Sequence, residues 1–403
     1  MRLTETADVA IPELAGYQRR FLIAGGVLGA ISLIGLLVEP RQFYQSYLLA
    51  YMLCLGITLG CLALGMVHQL SGGAWGVVIR RPIGAASRVL PVMTVLFLPI
   101  VFGMWQLYPW THADLVAHDE ALRHKQLYLN VTFWIVRAAI YFASWNVIAY
   151  FLNAWSVEQD RTGDARIPRR MQRLSAAGLV VYGLTITFAS FDWLMSLEPH
   201  WYSTIYGAII IGGQGLAALA FLVAVLVWLG ERPPLDAVVV PSHLHDLGNL
   251  MLAFTMLWAY FSFSQYLIIW AGNLPAEISW YQHRVSTSWW LVGTALMLFH
   301  FAVPFVVLLS RTVKRQAALI VKLAIFVLAA RWLDLYWLIA PEFHQGAWVS
   351  WLDLLLPAAL GLVWLGCFTW QLRGRAILPV YDPQFDEALG PILRKGPTRS
   401  TAQ

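Results

Sequence analysis

Long apolar runs alternate with short polar segments along almost the whole chain. Each run has roughly the 20 residues that a helix needs to cross a bilayer. Clusters of Gly, Pro and charged residues separate the runs, as in loops. The pattern predicts an all-α polytopic membrane protein with ten transmembrane helices and both termini on one side. The predicted spans are residues 21–38, 45–66, 89–107, 127–154, 174–192, 203–229, 248–271, 287–310, 318–340 and 352–372.

The placement of Lys and Arg predicts how the helices are oriented. Most of the 27 basic residues lie in the two tails and in the even-numbered loops. The exceptions are Arg41, Arg123, Lys125 and Arg284 in odd-numbered loops and Arg137, Lys322 and Arg331 inside spans. The positive-inside rule then places both tails, residues 1–20 and 373–403, in the cytoplasm, on either side of a membrane domain over residues 21–372.

The composition excludes an ordinary soluble enzyme. Hydrophobic residues make up 59% of the chain and charged residues 12%, whereas about 25% of the residues of a soluble domain are charged. The net charge of +5 follows from the topology, so no nucleic-acid partner is expected. Cys54, Cys61 and Cys367 form neither C-x-x-C nor C-x-x-C-H. This spacing excludes thiolate-held iron–sulfur clusters and covalently attached haem c.

An ionisable group inside a bilayer costs at least about 2.5 kcal/mol, so each one is a functional hypothesis. Asp192, Glu198 and His200 lie where the fifth span ends on the predicted outer side, among aromatic residues and without a basic residue in that loop. Partial burial without a cation raises the pKa of a carboxylate, which permits proton exchange near neutral pH. The alternative is that Asp192 and Glu198 only cap helix ends.

Two arginines inside predicted spans require a carboxylate as partner: Arg331 has one on its own span, and Arg137 does not. Arg331 and Asp334 are three residues apart on one helical face, a spacing that permits an ion pair. That pair is either a structural bridge or a station in a proton path. Arg137 has no carboxylate in its own span, and Asp192, Asp334 and Asp353 are all candidate partners.

Histidines mark the midplane and the inner side. His300 lies near the middle of the eighth span, where a hydrogen-bonded core residue is the main alternative to a ligand. A bis-histidine haem is not favoured, because no second His lies at a similar depth. On the inner side, His68 follows the second span, and His243 and Asp246 are spaced i, i+3 before the seventh. Proton entry is as plausible there as a metal site, for which two or three ligands in one loop are weak support.

Three segments resemble a known family: Asp192–Trp201, Tyr260–Pro275 and His68–Trp75. They are similar to the NrfD-like (polysulfide reductase family) membrane subunits of bacterial alternative complex III, and most like the smaller of the two such subunits in that complex. The resemblance covers about residues 20–375. It implies two four-helix bundles, about 45–200 and 203–340, with flanking helices, in a bacterial inner membrane.

The resemblance also implies partners and a reaction. The family complex is a quinol:cytochrome c oxidoreductase of the respiratory chain that oxidises menaquinol or ubiquinol. Its electrons pass through an iron–sulfur protein and multihaem and monohaem cytochrome c subunits. Quinol oxidation is tied most firmly to the larger sister NrfD-like subunit. The chain would thus be a subunit of an enzyme, with no covalently bound cofactor of its own and a possible quinone site.

Quinol oxidation releases two protons at the ring oxygens, so a site needs bases, flat apolar walls and an outlet to water. Asp192, Glu198 and His200 are the candidate catalytic bases. The candidate quinone-binding residues are Trp193, Trp201, Tyr202 and Gln265, although polar residues of the seventh span such as Gln265 also commonly join helices. The candidate proton-path residues are His68, Arg137, His243, Asp246, His300, Arg331, Asp334 and Asp353.

Two other functions remain open. A structural anchor would hold the electron-transfer subunits on the membrane without a role in turnover. A secondary transporter is less favoured, because the two halves lack a matching pair of Gly- or Pro-broken helices.

Overall fold

The structure is a computed structural model that describes residues 13–233, 235–373, 377–379, 381–382 and 385. Most of both predicted tails, residues 1–12 and most of 374–403, lies outside the described residues. Regular structure in the described part is helical throughout. The long helical segments are α1 (Leu14–Val38), α2 (Pro40–Ser71), α3 (Arg80–Phe102), α4 (Val131–Thr162), α5 (Ile167–Trp193), α6 (Tyr206–Gly230), α7 (Pro241–Gly272), α8 (Trp289–Leu309), α9 (Ala317–Ile339) and α10 (Trp351–Leu372).

Nine of these segments in the described part of the chain are long and apolar enough to cross a membrane. A multi-pass membrane protein is therefore confirmed in outline. The exception is α9, which coincides with the predicted span 318–340. This 23-residue helix contains Lys322, Arg331 and Asp334, so its composition alone does not identify it as a span.

Two of the segments are interrupted at prolines. In α3, short helices begin at Arg80, Leu90 and Leu98, each with a proline within its first three residues. In α8, a π-helical turn, Met297–Ala302, contains His300 and is followed by Pro304. Proline has no backbone N–H to donate to the carbonyl four residues earlier, so it favours such irregular turns.

Local signals fix several helix ends. Asn130 caps α4 by accepting a hydrogen bond from Phe133 N at 2.9 Å, and Gly163 ends that helix with φ of 63°. Ser350 and Asp353 form a capping box at the start of α10. These residues satisfy backbone groups that a helix terminus leaves unpaired.

The helices pack around α2 and α6, whose apolar stretches are 78% and 89% buried. Helices α2 to α5 contact one another in a ring, as do α6 to α9, and α2 contacts α6 and α10. Helix α1 packs along α10, and Gly25 permits this, since a Cβ there would come within 2.8 Å of Val363 N. The corresponding stretches of α1, α7 and α8 are at most 22% buried, so their apolar side chains face outward, as expected in lipid.

Successive helices alternate in direction, which gives the molecule two ends. At one end, Lys125, before α4, donates to the carbonyl of Pro199, after α5. We call the end that contains these two residues the Glu198 end. At the opposite end, Arg88 near the start of α3 bonds Gln371 near the end of α10. We call that the Arg80 end.

Candidate functional site

The three predicted catalytic bases lie at the Glu198 end but contact three different partners. Asp192 pairs with an arginine of α4, Glu198 with an arginine of the segment between α7 and α8, and His200 with an aspartate before α4. The single acidic site expected from the sequence is thus divided among three places.

Asp192 is completely buried at the end of α5 and forms a bidentate ion pair with Arg137. Arg137 Nε donates to Asp192 Oδ2 and Nη2 donates to Oδ1, both at 2.8 Å. Tyr141 Oη donates to Oδ2 at 2.8 Å, and the Tyr128 ring centroid lies 3.9 Å from Arg137 Cζ. The carboxylate has three donors and a matching cation, which is how a buried charge is stabilised.

This geometry identifies Asp192 as the partner of Arg137 among the three candidates. The expectation that Asp192 lacks a cation is wrong, because the cation comes from the adjacent helix rather than from the same loop. Its side chain turns toward α4, and its described hydrogen bonds go to Arg137 and Tyr141 rather than to a helix end. Asp192 is therefore held in a saturated ion pair.

Glu198, Arg284 and Glu342 form a second cluster, which we call the Glu198 cluster. The Arg284 side chain is fully buried in the short helix Pro275–Val285, and its Nη2 donates to Glu342 Oε1 at 3.1 Å. Glu198 Oε2 lies 3.8 Å from Arg284 Nη1 and has no hydrogen-bond partner among the described residues. Two carboxyl groups thus share one guanidinium.

Aromatic rings enclose the Glu198 cluster. Arg284 Cζ lies 3.6 Å from the centroid of the Trp280 ring and 5.6 Å from that of Trp337. Trp201 stacks on Trp280 at 5.0 Å between centroids, and its Nε1 donates to the Glu277 carbonyl at 3.0 Å. The rings cover the fully buried Arg284, whereas the Glu198 and Glu342 side chains keep 22% and 15% of their surface exposed. Partial removal from water strengthens electrostatic interactions inside the cluster.

Burial and the neighbouring Glu342 carboxyl raise the pKa of Glu198 to about 8, against the opposing effect of Arg284. Desolvation and a like charge both disfavour the ionised form of an acid. Glu198 is therefore largely protonated at pH 7 and loses its proton as the pH rises through about 8. Sequence reasoning predicted this direction for Glu198, but for the reason that no cation was near, and that reason is wrong.

The predicted quinone-binding residues do not line one surface. Trp193 is fully buried against Phe97 and Phe142 in the α2–α5 group. Trp201 belongs to the Glu198 cluster. Gln265 Oε1 accepts from Ser203 Oγ at 3.1 Å and is thus tied to the same loop. Tyr202 is 53% exposed.

His200 lies at the surface. Its Nε2 is 2.6 Å from Asp119 Oδ2, and more than half of its side chain is exposed. The hydrogen bond from His200 lowers the pKa of Asp119. The described partner of His200 is thus Asp119, whereas Asp192 pairs with Arg137 and Glu198 with Arg284. His200 does not share a partner with the other two predicted bases in these contacts.

The α6–α9 group contains a buried pair of its own. Arg331 Nη1 pairs with Asp334 Oδ2, as the i, i+3 spacing predicted, and Trp258 Nε1 donates to the same oxygen at 3.2 Å. His300, in the π-helical turn of α8, packs edge-on against Trp258 at 4.3 Å between ring centroids. Neither ring nitrogen of His300 has a hydrogen-bond partner among the described residues. His300 is thus a buried polar group beside an ion pair.

The predicted inner-side residues are separated. His68 is buried at the end of α2, 3.1 Å from the Gly73 carbonyl. His243 is buried at the start of α7, whereas the half-exposed Asp246 lies 3.5 Å from His245. Among the described residues, no group of three or more His, Cys, Asp and Glu side chains is placed to hold a metal ion.

Asp353 accepts hydrogen bonds that connect two helices. It accepts hydrogen bonds from Ser46 Oγ at 2.6 Å, Gln42 Nε2 at 3.1 Å and the backbone of Ser350 at 2.9 Å. It thereby joins the start of α10 to α2. These contacts account for its burial without a proton path.

Sequence reasoning missed Arg284 and Glu342. Arg284 was counted only as a basic residue of an odd-numbered loop, and Glu342 was not considered. The available signal was that Arg284 departs from the positive-inside rule, and an exception of this kind invites a search for a buried acidic partner.

Comparisons with known proteins give no further identification. No family model matches the chain, and no curated protein gives a significant sequence match. The functional conclusion depends on the geometry at the Glu198 end and on the three resembling segments.

Proposed function

We propose that this chain is a quinone-interacting, proton-handling membrane subunit of a bacterial quinol:cytochrome c oxidoreductase of the alternative complex III type. The Glu198 cluster is the single observation that carries the proposal. Electrons would pass to iron–sulfur and haem c groups held by partner subunits, since the cysteines of this chain lack the spacing to hold such groups.

The charge balance of the cluster suits proton exchange. With one carboxyl protonated, Glu198, Arg284 and Glu342 together are neutral, and with both ionised they carry one negative charge. A buried guanidinium stabilises the second carboxylate only in part. A pKa of about 8 for Glu198 lets the cluster take up and release a proton close to physiological pH, as a general base requires.

The surroundings of the cluster fit a quinol. Trp201 and Trp280, stacked on each other, line the cluster with apolar rings. The Glu198 carboxyl group interacts with Glu342, and its Oε2 atom has no hydrogen-bond partner among the described residues. A quinol gives up two protons and two electrons when it is oxidised. In this proposal ionised Glu198 accepts the proton of one ring hydroxyl, the proton of the other hydroxyl passes to water at the Glu198 end, and both electrons go to the iron–sulfur and haem c groups of the partner subunits.

The proposed topology places the Glu198 end at the periplasm and the Arg80 end in the cytoplasm. It counts α9 as a tenth span, because Arg331 and Asp334 neutralise each other inside it. The two rings of helices, α2–α5 and α6–α9, support the pair of four-helix bundles that the resemblance implies. Protons released at Glu198 would then leave to the periplasmic side.

A structural anchor is the second candidate, and the Arg137–Asp192 pair favours it. In that pair, both oxygens of the Asp192 carboxylate accept hydrogen bonds from Arg137 or Tyr141, within the protein. Such a pair fixes two helices without exchanging protons. The two candidates differ in whether substitutions in the Glu198 cluster change turnover of the assembled complex.

Glu198→Gln tests the proposal. Because glutamine cannot accept the proton, we expect quinol:cytochrome c turnover of the purified complex to fall at least about 100-fold, the usual contribution of a general base. Wild-type turnover should rise as the pH increases through about 8, because the ionised form is the acceptor, and the variant should lose that rise. Steady-state kinetics across this pH range measure both.

Glu120→Gln is the matched control, since Glu120 is an exposed carboxylate at the same end. It should leave both the rate and the pH profile unchanged. If the Glu198 variant assembled normally and kept wild-type turnover, the chain would be an anchor.

A further inference from the structure

Four basic residues lie at the Arg80 end, where α8 is connected to α9. Arg311, Lys314 and Arg315 are spaced i, i+3, i+4 on the short helix Arg311–Arg315, and Lys322 follows in the second turn of α9. We call these four residues the Lys314 cluster. None of them forms an ion pair within the part of the chain that the structure describes. Like charges on one helix face repel each other, so an external anion would stabilise the cluster.

The neighbouring sequence supplies little acidic charge. Residues 278–333, which include all of α8 and the first half of α9, contain neither Asp nor Glu. Helix α7 packs against the short helix and has one acidic residue, Asp246, which is half-exposed and lies 3.5 Å from His245. The surface where these helices meet thus has an excess of positive charge.

Lys314 is the most enclosed member of the cluster. Only 6% of the residue is exposed, and its aliphatic chain packs on Gly248 of α7, where an added Cβ would come within 2.7 Å of Lys314 Cγ. Its Nζ donates to Asn249 Oδ1 at 2.6 Å. An ammonium group has three N–H donors, and the other two have no partner among the described residues. The packing fixes the position of a cation whose one described partner is a neutral amide.

The cluster lies where the outward-facing apolar surface ends. Asn249 is exposed and shares one face of α7 with the exposed Met256 and Tyr260. Val306 and Leu309, in the last turn of α8, are exposed as well, and the basic residues follow directly. Such a change from exposed apolar to basic side chains marks the boundary between the hydrocarbon and the headgroups of a bilayer. The anion present at that depth is a phospholipid headgroup.

Lys322 supports the same location. It is exposed on α9, and Leu319 and Ile325, three residues before and after it, are exposed on the same side. A lysine on a lipid-facing helix extends its aliphatic chain toward the interface and places its ammonium among the headgroups. A headgroup at the Lys314 cluster accounts for this lysine, which lies inside a predicted span.

We propose that the Lys314 cluster binds the phosphate headgroup of an anionic phospholipid such as phosphatidylglycerol. Lys314 and Asn249 bind it on the side of α7, and Lys322 binds it from α9. The acyl chains lie along the exposed apolar residues of α8 and α9. Basic pockets between transmembrane helices bind such headgroups. This inference involves no quinol chemistry, so its failure would leave the proposed function untouched.

Photo-crosslinking in the purified complex tests the lipid site. p-Benzoylphenylalanine takes the place of Leu319, and the complex is reconstituted into nanodiscs with equal parts of phosphatidylglycerol and phosphatidylcholine. Mass spectrometry of this chain identifies the crosslinked lipid. We expect phosphatidylglycerol to be crosslinked at least about tenfold more often than phosphatidylcholine, because each basic residue near the membrane surface favours an anionic lipid by a factor of about five.

Two variants of the cluster should lower this preference. Lys314→Gln with Lys322→Gln is expected to lower it about tenfold, since two of the four cations are lost. Arg311→Gln with Arg315→Gln should also lower it. Both arginines are exposed, so this second variant serves if the first does not fold.

Arg169→Gln with Arg170→Gln is the matched control, because it removes two exposed arginines at the same end, on α5; it should leave the preference unchanged. Equal crosslinking of the two lipids in the parent, or an unchanged preference in the folded cluster variants, would overturn the lipid site. Crosslinking to a partner subunit would assign the cluster to a protein interface and would also overturn it. Inorganic phosphate should compete no better than sodium chloride of equal ionic strength, and stronger competition would contradict a lipid by indicating a site for free anions.

Discussion

Arg284→Met is expected to lower the free energy of unfolding by about 3–5 kcal/mol, the usual cost of removing one partner from a buried ion pair. The Arg284 side chain is fully buried, and Glu198 and Glu342 would be left facing each other without a cation. Methionine retains most of the apolar contact with Trp280, so the loss of unfolding free energy reports mainly the removal of the guanidinium charge. Denaturant unfolding in detergent, compared with the wild type, gives the value.

Two further variants separate charge from packing. Arg123→Met changes an exposed arginine at the same end and should leave stability nearly unchanged. Glu198 is largely protonated at pH 7, so adding Glu342→Gln to the Arg284 variant removes the carboxylate left without a cation and should restore part of the loss. An Arg284 variant as stable as wild type would mean that the two carboxyl groups do not depend on this guanidinium.

Arg137→Met is expected to destabilise the protein by a similar amount, about 3–5 kcal/mol, and more than Asp192→Asn does. The order follows from burial: the Asp192 side chain is completely buried, whereas the Arg137 side chain is 15% exposed and packs on Tyr128. Removal of the arginine strands a carboxylate in the interior. Removal of the carboxylate leaves an arginine that still reaches the surface.

The double variant gives the coupling between the two residues. The cost of Arg137→Met with Asp192→Asn should be clearly less than the sum of the single costs, as for residues that share one interaction. The same denaturant unfolding measures all three variants. Additive costs, or a larger cost for the aspartate variant, would contradict the ion pair as described.

The helices could be predicted from the sequence because each depends on a local apolar run. Nine of the ten predicted runs correspond to described helices long and apolar enough to cross a membrane. The interruptions of α3 and α8 also have a local cause, since prolines stand at the start of their short helices. The apolar runs continue through these interruptions, so a prediction from apolar runs alone did not show them.

The pairing of charges depends on which helices become neighbours, which one sequence does not specify. Arg331 and Asp334 were paired correctly because they lie on one helix. Arg137 had three candidate partners, and only the contact of α4 with α5 selects Asp192. Nearness in sequence also failed to predict which residues of 191–202 share a site. Asp192 pairs with Arg137 of α4, whereas Glu198 lies beside Arg284, between α7 and α8.

The most direct test of the central claim is an infrared pH titration of the purified complex that follows the carbonyl band of protonated carboxyl groups. We expect one such band to disappear with a midpoint near pH 8, Glu198→Gln to abolish it, and Glu120→Gln to leave it in place. If Glu198→Gln left the titration unchanged, or if the carboxyl group of Glu198 titrated near the usual pKa of about 4.3 for glutamate, Glu198 would not exchange a proton near neutral pH and the proposed function would be contradicted.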